Sequence, residues 1–149
     1  MGMGHVPQDP VRAEGAGAHV QGRERGRASD GRDRDLARQA RGRWGEREAG
    51  RWYERQGYRV VARNWVCPAG EVDLVVERGE LTVFVEVKAR ASDRFGSPAL
   101  AVDERKQKRL RRCAATWLAE QGRRASARTV RFDVVAVTGT RLEVIEGAF

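Results

Sequence analysis

An α/β domain built on a mixed five-stranded sheet is the fold class that this sequence predicts, and three observations carry it. Residues 70 to 90 hold two runs of alternating apolar and polar residues that meet at Arg78-Gly79, the pattern of a β-hairpin. Stretches with helical spacing of apolar residues lie before and after it, and further β-branched runs follow each of them, so the elements read αβββαββ. With 149 residues, the chain is long enough for one domain with a real core and short for two ordinary ones.

Residues 1–38 carry Gly, Arg, Asp, Ala and Gln with hardly an aliphatic side chain, so burial has little to set against the entropy of ordering them. This segment is expected to be a disordered tail, and 39–149 the folded domain. Both histidines, His5 and His19, fall in the tail, which argues against histidine catalysis. The pattern from about Leu36 to Gln56 is helical, with Gly57 as its stop. Gly45, Ala49, Trp52 and Tyr53 form its apolar stripe, and Glu46 lies at the stripe's edge beside Tyr53. A boundary glutamate paired with a neighbouring arginine and a carboxylate leaning over a site both fit that position. Gly42, Gly45 and Gly50 weaken a helix, so close packing against the sheet is expected at them.

Tyr58 to Val66 reads as the first strand, and Cys67-Pro68-Ala69-Gly70 breaks the chain before the hairpin. Pairing Glu77 with Glu80 sets Asp73 against Phe84 and Glu71 against Glu86, and the two-residue period then sorts the side chains. One face takes Val72, Leu74, Val76, Leu81, Val83, Val85, Val87 and Ala89. The other takes Glu71, Asp73, Glu77, Thr82, Phe84, Glu86, Lys88 and Arg90.

After a loop through Gly96, Ser97-Pro98 has the chemistry of a helix start, and the helix is expected to run to about Gln121 with Gly122 as its stop. Leu110, Cys113, Ala114 and Trp117 lie within its apolar arc. Lys106 projects from the same arc, where a lysine snorkelling to solvent and a contact with phosphate or a site both fit. Thr129 to Val137 and Arg141 to Glu146 supply the last two strands, the fourth returning through a helical crossover.

The formal net charge of +8 comes almost wholly from arginine. Its planar donor fork suits phosphate recognition, although an arginine-rich codon bias gives the same composition. In the tail seven arginines face six acids, so the excess belongs to the domain. Two cysteines, Cys67 and Cys113, indicate neither a disulfide framework nor a zinc site, and a reduced, cytoplasmic protein is the expectation. No apolar run of 18 residues exists and no apolar signal core follows the first charges, so neither membrane insertion nor secretion is expected.

Acids on one strand face repel unless something positive holds them. A hard divalent cation would serve, because Mg²⁺ takes oxygen ligands and keeps only one or two protein carboxylates. Asp73 and Glu86 would be its ligands, Lys88 on the same face would orient water and stabilise developing charge, and Arg90 continues that row towards a phosphate. The competing reading is a solvated sheet face in which these acids form salt bridges with Lys88 and Arg90.

Asp73 followed by Glu86-Val87-Lys88 on the next strand resembles the D…(D/E)-x-K pattern of the PD-(D/E)xK nuclease superfamily. From about Arg41 to Phe149 the chain further resembles the YraN-like family of bacterial proteins. The likeness is carried by Gly42-x-x-Gly45-Glu46-x-x-Ala49, Gly57-Tyr58, Arg63-Asn64-Trp65, Gly70-Glu71-Val72-Asp73-Leu74-Val75, Phe84-Val85-Glu86-Val87-Lys88-x-Arg90, Phe95-Gly96, Val102-x-x-x-Lys106 and Ala148-Phe149. The resemblance implies a restriction-endonuclease-like αβββαβ core and a Mg²⁺- or Mn²⁺-dependent endonuclease acting on DNA, on branched or damaged structures among others. In the similar archaeal Holliday-junction resolvases a glutamate of the first helix joins the strand acids at the metal. By that likeness Glu46 joins Asp73 and Glu86, and a homodimer is implied. The proline that precedes the first acid in the superfamily pattern is absent, since Gly70-Glu71-Val72 precedes Asp73. A nucleic-acid-binding module without turnover is the alternative, with Arg105, Lys108, Arg109, Arg111 and Arg112 facing phosphates, and Lys106 and Arg90 adding to the contacts.

Overall fold

The helical and alternating patterns resolve into seven elements in the computed structural model, which describes residues 24–91, 102–122 and 128–149. Helix α1 spans Glu24–Arg55, β1 Arg59–Cys67, β2 Gly70–Arg78, β3 Leu81–Arg90, α2 Glu104–Glu120, β4 Thr129–Thr138 and β5 Arg141–Ile145. The strands lie in the order β1-β2-β3-β4-β5, all neighbours antiparallel except β3 and β4. That parallel pair is what α2 bridges, as a parallel connection needs a crossover. The mixed five-stranded α/β sheet is therefore as the sequence predicts.

Alternation sends the two sheet faces to different helices. Leu74, Val76, Val83, Val85, Val135 and Val137 pack against Ala49 and Tyr53 of α1. Val75, Phe84 and Val134 pack against Leu110, Cys113, Ala114 and Trp117 of α2. β3 is buried from Thr82 to Glu86, as a central strand covered on both faces, so Thr82 and Glu86 are buried polar residues within it. No helix of the described residues is long and apolar enough to cross a membrane. The thiols of Cys67 and Cys113 are both free, with their Sγ atoms 3.3 Å apart. Burial and the neighbouring Cys67 push the Cys113 thiol up to about 11.

Four details depart from the sequence reading. First, α1 begins at Glu24, twelve residues before Leu36, so the part of the expected tail from 24 to 38 is helical, while 1–23 lies outside the described residues. From residue 30 to 38 that half is exposed. Pairs one turn apart line its surface, Arg34 with Asp30 at 2.8 Å and Arg38 with Asp35 at 2.7 Å. Second, α2 starts at Glu104, capped by the Asp103 carboxylate on the Lys106 amide at 2.8 Å; Ser97 and Pro98 lie outside the described residues. Third, the hairpin register differs by two residues. Arg78 pairs with Leu81 and Glu77 with Thr82, leaving Gly79 and Glu80 as the turn, with Gly79 at φ +58°. Glu71 therefore does not face Glu86; separately, the alternation breaks at Asp73, so Val72 packs in the cluster under α2 rather than with Leu74 and Val76. Fourth, Gly45 and Gly50 do meet close neighbours on the sheet, whereas Gly42 has nothing within 4 Å of where its Cβ would stand.

Candidate functional site at the strand fork

Paired residues of β2 and β3 run from Arg78 and Leu81 to Leu74 and Val85, and there the ladder ends. The next position on β2 is Asp73. Its carboxylate Oδ2 accepts the backbone N–H of Val87 at 2.7 Å, so a side chain takes over from the strand ladder where the strands part. Glu86 sits beside that contact on β3 and is only 4% exposed. Glu86 is thus not on a solvated surface, because Lys106 of α2 lies over it, whereas Glu71, which the sequence pattern sorts onto the same face, is exposed.

Two ammonium groups share one oxygen of Glu86. Lys88 Nζ lies 2.9 Å from Oε1, and Lys106 Nζ, reaching down from the first turn of α2, contacts the same atom. Burial, then the charge of Glu86, then that of Glu46 push the Asp73 carboxyl up to about 7; the Val87 N–H and Lys106 pull the other way. Burial alone would lower Lys88, but its contacts with Lys106 and Glu86 hold it above the usual lysine range. Lys106 is lowered, by burial and by Lys88 beside it, although Glu86 opposes this. Lys88 therefore keeps its proton firmly, and Lys106 gives its proton up more readily.

Glu46 approaches from α1. Its Oε2 accepts from Asn64 Nδ2 at 2.9 Å, and its carbonyl accepts from Arg63 Nη1 at 3.5 Å. The position at the edge of the helix stripe is what places it there. Of the expected site residues, Asp73, Glu86, Lys88 and Lys106 come together, with Glu46 near enough for its charge to act on Asp73. Among the described residues, no group of three or more His, Cys, Asp and Glu side chains is gathered as a metal-holding cluster.

The basic residues divide. Arg105, Lys106, Lys108, Arg109 and Arg112 line an open groove of about 940 Å³ with Ala69, Asp103 and Glu104. Lys106 belongs both to this groove and to the Glu86 cluster, so the two are continuous. The Arg109 stem lies across Gly70, where a Cβ would stand 2.7 Å from its Cδ, and Gly70 has φ +145°. Arg111 instead sits over the Phe149 ring at 5.4 Å. Arg90 does not line the groove. It borders a separate pocket of about 250 Å³ with Arg41, Trp44, Ala89, Val137, Gly139 and Thr140. Glu77 takes no part, being paired with Arg59 at 3.1 Å and Arg128 at 3.0 Å near the other end of β2.

Two residues escaped the sequence reading. Asn64 gave a weak signal, an asparagine inside a strand, where that residue is disfavoured. Asp133 gave the same signal in β4 and is fully buried. It accepts from Tyr53 at 2.7 Å, from Arg131 twice at 2.8 Å and from the Gly147 amide at 3.0 Å, tying α1, β4 and the chain end together. Burial and the Asp133 carboxylate hold the Tyr53 hydroxyl protonated far above its usual range.

Comparison with known proteins identifies relatives over most of the described domain. The model of the uncharacterised protein family UPF0102 matches residues 45–137. A UPF0102 protein of Beutenbergia cavernae is 59% identical over 105 residues, which cover 70% of this chain and 87% of that one. One of Moorella thermoacetica is 46% identical over 120 residues, 76% of this chain and 98% of the relative. One of Serratia proteamaculans is 45% identical over 104 residues, 70% and 89% respectively. The matched span holds α1 from Gly45, all of β1 to β3, α2 and nearly all of β4, and with them every residue of the fork, so the chain belongs to the UPF0102, or YraN, family.

Proposed function

We propose that this protein is a Mg²⁺- or Mn²⁺-dependent endonuclease that hydrolyses phosphodiester bonds in DNA, with branched or damaged DNA as the candidate substrates. One observation carries the reading: Asp73 and the buried Glu86 meet Lys88 and Lys106 at a strand fork that is continuous with an arginine-lined groove.

The donor set fits a hard divalent cation. Asp73 and Glu86 offer carboxylate oxygens; burial first and then repulsion by Glu86 raise Asp73, and a cation would offset both. Asp73 and Glu86 would hold the ion directly and Glu46 through water. A bound ion of this kind polarises a phosphodiester and lowers the pKa of its water. Lys88, firmly protonated, would stabilise charge developing on the phosphate oxygens. Arg105, Lys108, Arg109 and Arg112 would hold the sugar-phosphate backbone along the groove, which sets position without reading bases.

Incubating the purified protein with branched, single-stranded and duplex DNA in Mg²⁺ or Mn²⁺ tests this. Cleavage that needs the cation and disappears in Asp73→Ala is expected. Cleavage that survives that substitution would overturn the assignment.

A second reading is a nucleic-acid-binding module that keeps the fold without turnover. It is favoured by Glu86 Oε1 already contacting two ammonium groups and by the lack of a three-ligand cluster among the described residues. Tight binding that falls steeply with salt, ignores divalent ions and brings no cleavage of any substrate would select it.

A further inference from the structure

We propose that Asn64 is a positioning residue that fixes the Glu46 carboxylate beside Asp73, a role that rests on the reading of Glu46, Asp73 and Glu86 as one site. Asn64 is the one non-glycine among the described residues with positive φ, at 46°. Asparagine is among the few side chains that accept this conformation at modest cost. Its place in the sheet is specific. Arg63 pairs with Leu74 and Trp65 with Val72, which sets Asn64 across from Asp73 on the neighbouring strand.

From there Asn64 reaches α1 rather than the sheet, and Nδ2 donates to Glu46 Oε2 at 2.9 Å. The preceding residue completes the grip. Arg63 donates from Nη1 to the Glu46 carbonyl at 3.5 Å, so two successive residues of β1 hold the side chain and the main chain of one glutamate. The Arg63 guanidinium lies over Gly50, one turn along α1, where a Cβ would stand 2.5 Å from Nη2. A helix-weakening glycine therefore sits where the arginine must pass. A glutamate at a half-exposed helix edge has many rotamers, and its oxygens serve a site only if one of them is selected.

Asn64→Gly separates this role from a backbone one, because glycine takes φ near +46° freely and lacks the donor. Full-length wild type, Asn64→Gly, Glu46→Gln and the double variant would be titrated with Mn²⁺ by calorimetry and melted without metal. Asn64→Gly should melt within a few degrees of wild type, while its Mn²⁺ dissociation constant rises about tenfold. In the Glu46→Gln background the same glycine should change that constant less than about twofold, since the residue it acts through is already neutralised. Wild-type affinity in Asn64→Gly, or an equal loss in both backgrounds, overturns the proposal. If wild type itself takes up no Mn²⁺, the metal reading fails by itself. Metal-free crystals of wild type and Asn64→Gly then decide the positioning role: a displaced Glu46 carboxylate supports it, and an unmoved one overturns it.

Discussion

The Asp73 carboxylate accepts the Val87 amide at 2.7 Å, so one acid both completes the backbone hydrogen bonding of β3 and faces the buried Glu86. These duties conflict in energy, because the position that satisfies the amide leaves two carboxylates close together in a poorly solvated place.

The conflict has a pH signature. The folded-state pKa of Asp73 is raised from 3.8 to about 7, so between those values the folded protein keeps a proton that the unfolded chain has lost. Stability from this group is present at low pH and is lost as pH rises towards 7. Asp73→Asn keeps an oxygen for the Val87 amide and has no charge to titrate. Urea unfolding in EDTA should show the variant gaining on wild type by about 2–3 kcal/mol between about pH 5 and pH 8. Parallel pH profiles for the two proteins would contradict it.

The lysines of Glu86 should behave non-additively. Lys106→Met leaves Lys88 on the carboxylate and removes a repelling neighbour, so a cost below about 1 kcal/mol is expected. Losing both lysines strands a buried charge and should cost about 3–5 kcal/mol, more than the two single changes together. Denaturant melts of the four proteins give the coupling energy directly.

Asp133 should be among the most sensitive positions in the chain. Asp133→Ala leaves the Tyr53 hydroxyl and the Gly147 amide without this acceptor and leaves the Arg131 guanidinium only Glu146 and the Tyr58 hydroxyl, so a loss of about 3–5 kcal/mol is expected in urea unfolding. Tyr53→Phe removes one donor of several and should cost about 1–2 kcal/mol.

The glycines of α1 should split by their surroundings. Gly42→Ala gains helix propensity with nothing within 4 Å to resist it, and should raise stability by about 0.5–1 kcal/mol. Gly45→Ala brings a methyl to 3.2 Å from the Ala89 Cβ and should show a net loss of about 1 kcal/mol. Thermal melting of the two variants should move in opposite directions.

The site was legible where periodicity alone decides. The expected hairpin register is off by two residues, an even number, so Leu74, Val76, Val83 and Val85 keep the common face that the sequence pattern gave them, and Glu86 and Lys88 meet each other on β3. The helical wheel likewise placed Glu46 at the edge of its stripe, where it meets Asn64, and Lys106 within the apolar arc of α2, from which it reaches Glu86. What the pattern could not supply is the parting of β2 from β3, which depends on a side chain competing with backbone for one amide. Asn64 and Asp133 were missed for a related reason. Each is a polar residue in a strand whose partner lies on a distant element, and no local period encodes that pairing.

The exposed half of α1 has a consequence for how unfolding is followed. Residues 30–41 are exposed throughout, so melting that half uncovers little apolar surface and adds little to the heat-capacity change. All four tryptophans, Trp44, Trp52, Trp65 and Trp117, lie outside it, in the packed body. Circular dichroism counts both parts, while tryptophan fluorescence counts only the body. On heating, ellipticity should begin to fall before the fluorescence does, and the two curves will part company without any intermediate in the cooperative unit.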